Sequence, residues 1–306
     1  MNQSGRFQYI WIGFLTFFTI FGFAVNSLLA RVALDKNAIT PVFYSLLRLG
    51  SGALILFLLV FHKKNQLPKP KYLSAFALFA YAFCFSVGYV FVGVAVGALL
   101  LFSAVQFTII GNAVFIYKER LNILQILGVI IAMAGFVLFV YKGLNVPQNI
   151  IGYFGAVMMI ISGIAWGIYT LKGKFEKQYV LRTASNFVYS LIYFIPFIVI
   201  FAFLKNGFIN EKFINTPYVY LHPIIYGILS GAIFSALFYV IWYKVVIKLS
   251  RVLASSVQLL APVIAAFLGI IFLNEKISYT FIISSILILG GIILVIIKEK
   301  TAEAQE

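Results

Sequence analysis

Apolar residues fill this chain in long unbroken runs, without the alternation of a half-buried strand or the single stripe of a soluble helix. Ten such runs of about 19–24 residues are separated by short polar corners, and each is long enough to cross about 30 Å of hydrocarbon at 1.5 Å of rise per residue. The expected spans are roughly 9–29, 41–61, 72–92, 94–116, 123–141, 152–171, 184–204, 223–243, 252–273 and 279–297. Pro41, Pro147, Pro217 and Pro223 fall at helix starts or in connections, where a missing N–H costs little. The pattern predicts an all-α integral membrane protein.

The pattern also repeats. Ser103–Lys142 is two apolar runs joined by the corner Lys118-Glu119-Arg120, and Ser255–Lys298 has the same form. From Glu119 and from Glu275 onward the two align without a gap: Ile126 with Ile282, Ile130 with Ile286, Gly135 with Gly291, Leu138 with Leu294, Lys142 with Lys298. Upstream, Val105-Gln106 matches Val257-Gln258, with about one helical turn inserted in the second copy. Fainter echoes link Tyr44-Ser45-Leu46 to Tyr189-Ser190-Leu191 and Phe85-Ser86 to Phe234-Ser235. Each half holds five spans, so the second half must enter the membrane upside down. The expected organisation is a polar N-terminus at 1–8, a first repeat at 9–144, an inverted second repeat at 145–297 and a tail at 298–306. Inverted repeats are how many secondary transporters build two gates around one midplane site. The alternative is a duplication that only stabilises a bundle.

Composition removes the soluble alternatives. The 306 residues are 63% hydrophobic and 10% charged, with mean hydropathy +1.06, whereas soluble domains carry roughly 25% charged residues. The net charge of +15 changes the picture only through its placement. With the N-terminus inside, 16 of the 23 Lys and Arg fall in inward connections and termini, six in outward ones, and Arg48 lies within a span. That bias predicts both termini in the cytoplasm of a multi-pass protein, with a bacterial inner membrane as the expected location. No basic face or recognition motif accompanies the charge, so nucleic acid is not an expected partner. The first run is too long for a signal-peptide core and reads as a retained span. Cys84 is the one cysteine and lies within a span, while His62 and His222 lie in or beside connections. No disulfide within the chain, metal site or cofactor is expected. Catalytic motifs are absent from the sequence, which does not read as an enzyme.

The chemistry inside the membrane is sparse. All eight acidic residues fall in connections, at helix ends or in the tail. Proton-coupled transporters usually keep a buried carboxylate or His as relay, so this pattern favours a uniporter, an exchanger, or coupling through Glu119 and Glu275. For those two, stabilisation by the N-terminal dipole of the next helix is the simpler expectation. Arg48 lies about 10 Å into the second span by helical rise. It either docks a carboxylate or phosphate or snorkels and binds carbonyls. Gln106 and Gln258 occupy equivalent positions in spans four and nine, and Asn26 and Asn112 lie late in spans one and four. With Tyr89, Trp166, Tyr169, Tyr239 and Trp242 they form a candidate set for lining a mostly apolar cavity; helix–helix hydrogen bonding is the alternative. Pro196 and Pro262 fall within spans seven and nine, as moving hinges or static kinks. Gly93/Gly97, Gly163/Gly167 and Gly227/Gly231 allow close helix approach. Tyr9, Trp11, Tyr72, Tyr117 and Tyr141 read as interfacial anchors.

Ten spans in two halves, each closing on a Glu-basic corner (Lys118-Glu119-Arg120-Leu121; Asn274-Glu275-Lys276-Ile277) and a final helix with Ala134-Gly135 or Gly290-Gly291, resemble the drug/metabolite transporter superfamily, EamA-like family. Leu260-Ala261-Pro262-Val263 followed by Leu273-Asn274-Glu275-Lys276 is similar to its strongest motif, and Arg48 matches a basic residue common in its second helix. The first half departs from it, with Gln106 where a mid-helix proline often sits. The resemblance covers about residues 9–297 and implies a basket-like bundle with a central cavity, moving small metabolites and often exporting amino acids. The leading expectation is therefore a secondary transporter, an exporter of an amino acid or related compound by alternating access. Import or exchange of a nucleotide-like metabolite is the alternative within transport. A non-transporting membrane interaction protein is the alternative outside it.

Overall fold

The computed structural model describes residues 3–34, 39–62, 67–92, 94–141, 149–203, 217–273 and 278–303. These residues are almost all helical, with no strand among them. Spans one to three are α1 (Gln3–Leu34), α2 (Pro41–His62) and α3 (Tyr72–Val92). The fourth is α4 (Val94–Gly111) with a π-helical end (Asn112–Ile116); the fifth and sixth are α5 (Ile123–Val140) and α6 (Ile150–Gly173). The seventh is α7 (Tyr179–Ser190), a 3₁₀ turn (Leu191–Phe194) and α8 (Ile195–Phe203). The eighth is α9 (Pro217–Leu229), a π-helical stretch (Ser230–Leu237) and α10 (Phe238–Val246). The ninth is α11 (Arg251–Ser256), a 3₁₀ turn (Val257–Leu259) and α12 (Leu260–Leu273), and the tenth is α13 (Tyr279–Glu303). Among the described residues nine spans are long and apolar enough to cross a bilayer. The seventh, whose first half carries Arg182, Thr183, Ser185 and Asn186, is the tenth helical span. The chain is a multi-pass integral membrane protein.

The two mid-span prolines explain the two 3₁₀ turns. Pro262 cannot donate to the Gln258 carbonyl, nor Pro196 to that of Ile192. Tighter bonds take their place: Leu260 N–H donates to Val257 and Gln258 O, and Ile195 N–H to Ile192 O. Both 3₁₀ turns lie directly ahead of a mid-span proline. The π-helical stretch of span eight has no such signal; its residues include Gly231, pressed against the Arg48 carbonyl of α2.

Packing between the halves is pseudo-symmetric. Span three packs on six as eight packs on one, and four on six as nine on one. Spans two and eight pair as seven and three do, while the pairs two–seven and five–ten map onto themselves. Spans five and ten meet where no Cβ fits: one on Gly128 would strike Gly291 O, and one on Gly291 would strike Gly128 O. At the other end of that contact Gly135 faces Ser284 and Ile288, so the two helices run antiparallel. Ser284 and Gly291 are the repeat counterparts of Gly128 and Gly135, and the contact therefore reproduces itself when the halves are exchanged. The bundle is two repeats in opposite orientation. Gly163 and Gly167 seat α6 on α4, and Gly227 and Gly231 seat span eight on α2, as the small-residue spacing predicts. Gly97 meets Met159 of α6, while its partner Gly93 lies outside the described residues.

Candidate functional site

Alanines make the cavity. Ala95 and Ala98 on α4 and Ala261, Ala265 and Ala266 on α12 line one side of a space of about 360 Å³, because their side chains are too short to fill it. The first and third spans contribute side chains every four residues, one face of each helix: Phe23, Ser27 and Arg31, then Tyr81, Phe85 and Tyr89. Trp166 and Gln258 lie near mid-span at its floor, and Arg31, Ala95 and Val140 lie at helix ends at its mouth. The volume suits a ligand at the small end of the usual range of about 300–1,000 Å³.

The floor is a hydrogen-bonded aromatic layer. Trp166 Nε1 donates to Gln258 Oε1, and Gln258 Nε2 donates to Ala254 O at 2.7 Å. Ring centroids lie 4.7 Å apart for Trp166–Tyr81, 4.9 Å for Trp166–Tyr239 and 5.3 Å for Phe23–Trp166. Beyond this layer Tyr169, Trp242 and Tyr243 are all buried and close the floor among the described residues.

Arg48 sits behind the wall formed by Tyr81 and Phe85. It is 1% exposed. Its Nε donates to Ser235 Oγ at 2.9 Å, and its Nη2 to Tyr239 OH at 2.6 Å and Tyr81 OH at 3.3 Å. Its Cζ lies 5.1 Å from the Tyr81 ring centroid and 5.9 Å from that of Phe85. A charge at this depth costs about 2.5–3.5 kcal/mol or more, and among the described residues its partners are neutral oxygens and ring faces.

Of the residues picked from sequence, Tyr89, Trp166, Gln258 and Pro262 line the cavity. Arg48, Tyr239 and Tyr169 lie one layer behind, the last stacked on Trp166 at 5.6 Å. Trp242 donates to Thr170 Oγ1 at 3.1 Å. Asn26 accepts from Ser230, which accepts from Tyr44 OH at 2.9 Å; this chain ties spans one, two and eight together. Gln106 is not placed like Gln258: its Nε2 donates to Ser255 O at 2.8 Å, and its Oε1 is buried without a partner among the described residues. Asn112 opens the π-helical end of span four, and Pro196 follows the 3₁₀ turn of span seven; neither lines the cavity. Sequence reasoning passed over Phe23, Tyr81 and Phe85, although the four-residue spacing of Tyr81, Phe85 and Tyr89 marks one helical face.

At the opposite end from the mouth the connections are tied together. Arg251, buried at the start of α11, donates to the Glu119 carboxylate, and its Cζ lies 3.6 Å from the Tyr117 ring centroid. Tyr117 stacks on Phe175 at 6.1 Å. Glu176 pairs with Lys71 and, at 3.3 Å, with Arg182, which also donates to Lys69 O at 2.8 Å. Lys174 donates to Leu249 O. Glu119 is engaged with Arg251, and the N-terminus of α5 is capped by Asn122, whose Oδ1 accepts from Leu124 N at 3.0 Å. Tyr117 carries the Arg251 guanidinium and is 47% exposed. Glu275, the repeat counterpart of Glu119, lies outside the described residues.

The EamA-like transporter family model matches this chain twice, over residues 10–141 and 153–297. An uncharacterized protein of Pseudomonas aeruginosa is 34% identical over 295 residues, 95% of this chain and 96% of its own length. The uncharacterized transporter YoaV of Bacillus subtilis is 24% identical over 267 residues, 84% of this chain and 87% of its own. A crystal structure covering 93% of this chain and 96% of its own superposes with a TM-score of 0.72 at 16% identity, a likeness of fold alone.

Proposed function

From the premise that this chain belongs to the EamA-like transporter family and is a membrane transporter, we propose that it is a secondary transporter. It moves a small amphipathic metabolite by alternating access, with export of an amino acid or related compound as the leading case. One observation carries the reading: a cavity with an aromatic floor reaches one end of the bundle, while ion pairs and stacked rings tie the other end. Inverted repeats make the reverse arrangement available to the same chain, since each half can take the packing that the other has here. The Lys and Arg bias supports an orientation with both termini and the tied end in the cytoplasm of a bacterial inner membrane, so that the cavity faces outward. In this state Trp166 and Tyr89 cover the apolar body of the substrate, and the Gln258 amide orients its polar group.

The test is solute flux in reconstituted vesicles. The protein is loaded with a broad panel of amino acids and related metabolites and followed for saturable efflux and counterflow. Saturable, exchange-stimulated movement of at least one compound is expected. A protein that moves none of them in either direction overturns the reading.

A further inference from the structure

We propose that Arg48 is the docking point for the carboxylate of a small organic anion, reached from the cavity by displacement of Tyr81. The proposal rests on the transport reading and narrows its substrate to a class: one carboxylate on a compact apolar body, with no requirement for an ammonium group.

The first argument is the use of the guanidinium edges. The Nε–Nη2 edge is taken by Ser235 and Tyr239, at 2.9 and 2.6 Å. The Nη1–Nη2 end carries only the longer bond to Tyr81, at 3.3 Å, and no acceptor for Nη1 appears among the described residues. A carboxylate binds a guanidinium edge through two parallel bonds, so a single side chain, Tyr81, has to move to admit it. Tyr81 is also a cavity-lining residue, as is Phe85 on the other ring contact of Arg48. The wall between ligand space and charge is therefore one side chain thick.

The second argument is charge. No carboxylate neutralises Arg48 among the described residues. Glu119 and Glu176 are engaged at the tied end with Arg251, Arg182 and Lys71. Among the described residues that line the cavity none is acidic, so none of them can receive an ammonium group. Its walls are aromatic and aliphatic, its directional group near the floor is Gln258, and its size fits a body of a few to about ten carbons. Arg48 offers a phosphate a guanidinium whose Nε is already spent on Ser235, and the other cation lining the cavity, Arg31, lies at the mouth, at the end of α1.

The test compares matched pairs on the purified full-length protein: 3-phenylpropanoate with 3-phenylpropanamide, and 4-methylpentanoate with 4-methylpentanamide. The corresponding phenylalkyl phosphate is included, and thermal stabilisation is read against concentration. At least one acid is expected to stabilise at a concentration tenfold or more below that of its amide. Arg48→Gln is expected to abolish that preference, and Tyr81→Phe to preserve or sharpen it. The proposal is overturned if neither acid stabilises the wild type, if the amides match the acids, or if the phosphate outperforms them. Persistence of the preference in Arg48→Gln overturns it as well. Where Arg48→Gln fails to fold, the acid–amide comparison on the wild type decides alone. Saturable flux of uncharged compounds with no preference for acids sinks this proposal and leaves transport standing; acid binding without any flux does the reverse.

Discussion

The two ends of the bundle come from one repeated unit, yet one is tied shut and the other is open. At the tied end Arg251 reaches Glu119 across 132 positions of sequence. In the register that equates Gln106 with Gln258, the residue equivalent to Arg251 is Leu99, which packs among the partly buried hydrophobics. The open end thus lacks that cation, and its facing alanines leave space where the tied end has Tyr169, Trp242 and Tyr243. The two equivalent glutamines repeat the contrast: Gln258 holds Trp166 at the cavity floor, whereas Gln106 is buried against Ser255. Under the proposed alternating access, duplication would supply two similar gates, and differences between the copies such as Arg251 against Leu99 would favour closure at the tied end.

Breaking the tied end should have the largest effect. Glu176 is 7% exposed and serves both Arg182 and Lys71. Glu176→Gln leaves the largely buried Arg182, 12% exposed at its side chain, without its carboxylate and should cost about 3 kcal/mol of stability, the lower end for pairs that lose one partner. Unfolding by denaturant in detergent, compared with the wild type, measures this. Glu119→Gln should cost less, about 1–2 kcal/mol, because Glu119 is already partly exposed and Arg251 keeps the Tyr117 face at 3.6 Å. Both variants should also admit reagents at the tied end. If neither does, those pairs do not hold the gate.

The glutamines provide a finer test. Gln258→Ala should lower flux per folded molecule about tenfold, since a lost directional contact of about 1.4 kcal/mol corresponds to that factor. Gln106→Ala should leave flux per folded molecule unchanged and lower stability by about 1 kcal/mol. Equal losses of flux in both would return them to symmetric roles. Lys71→Ala should be smallest, under about 1 kcal/mol in the same denaturant assay, because the lysine is half exposed and Arg182 stays on Glu176.

Much of this architecture is legible along the chain. Run length marks the spans, and the gapless match of Glu119–Lys142 to Glu275–Lys298 marks the repeat. Pro196 and Pro262 mark the two 3₁₀ turns, since a missing N–H acts locally. The family match on both halves agrees with that pattern. What stays hidden is whatever breaks the symmetry. Nothing near Glu119 in the sequence points to Arg251, 132 positions away. The π-helical stretch at Ser230–Leu237 carries no signal of its own in the sequence; in the structure its Gly231 meets the Arg48 carbonyl of α2. The cavity is also hard to see from sequence: it is made by alanines, which carry no chemistry, facing side chains that do. Periodicity identifies Tyr81, Phe85 and Tyr89 as one face, but not what that face meets.

Sidedness of access to the cavity is the most direct measurement. Ala265→Cys is placed on the cavity wall in a Cys84→Ala background and labelled with a membrane-impermeant thiol reagent, in vesicles of known orientation. The account predicts labelling from the side facing the mouth, protection from the side of the Glu119 corner, and two-sided labelling once Glu119→Gln and Glu176→Gln are added. Labelling of Ala265→Cys from the Glu119 side without those substitutions would contradict it.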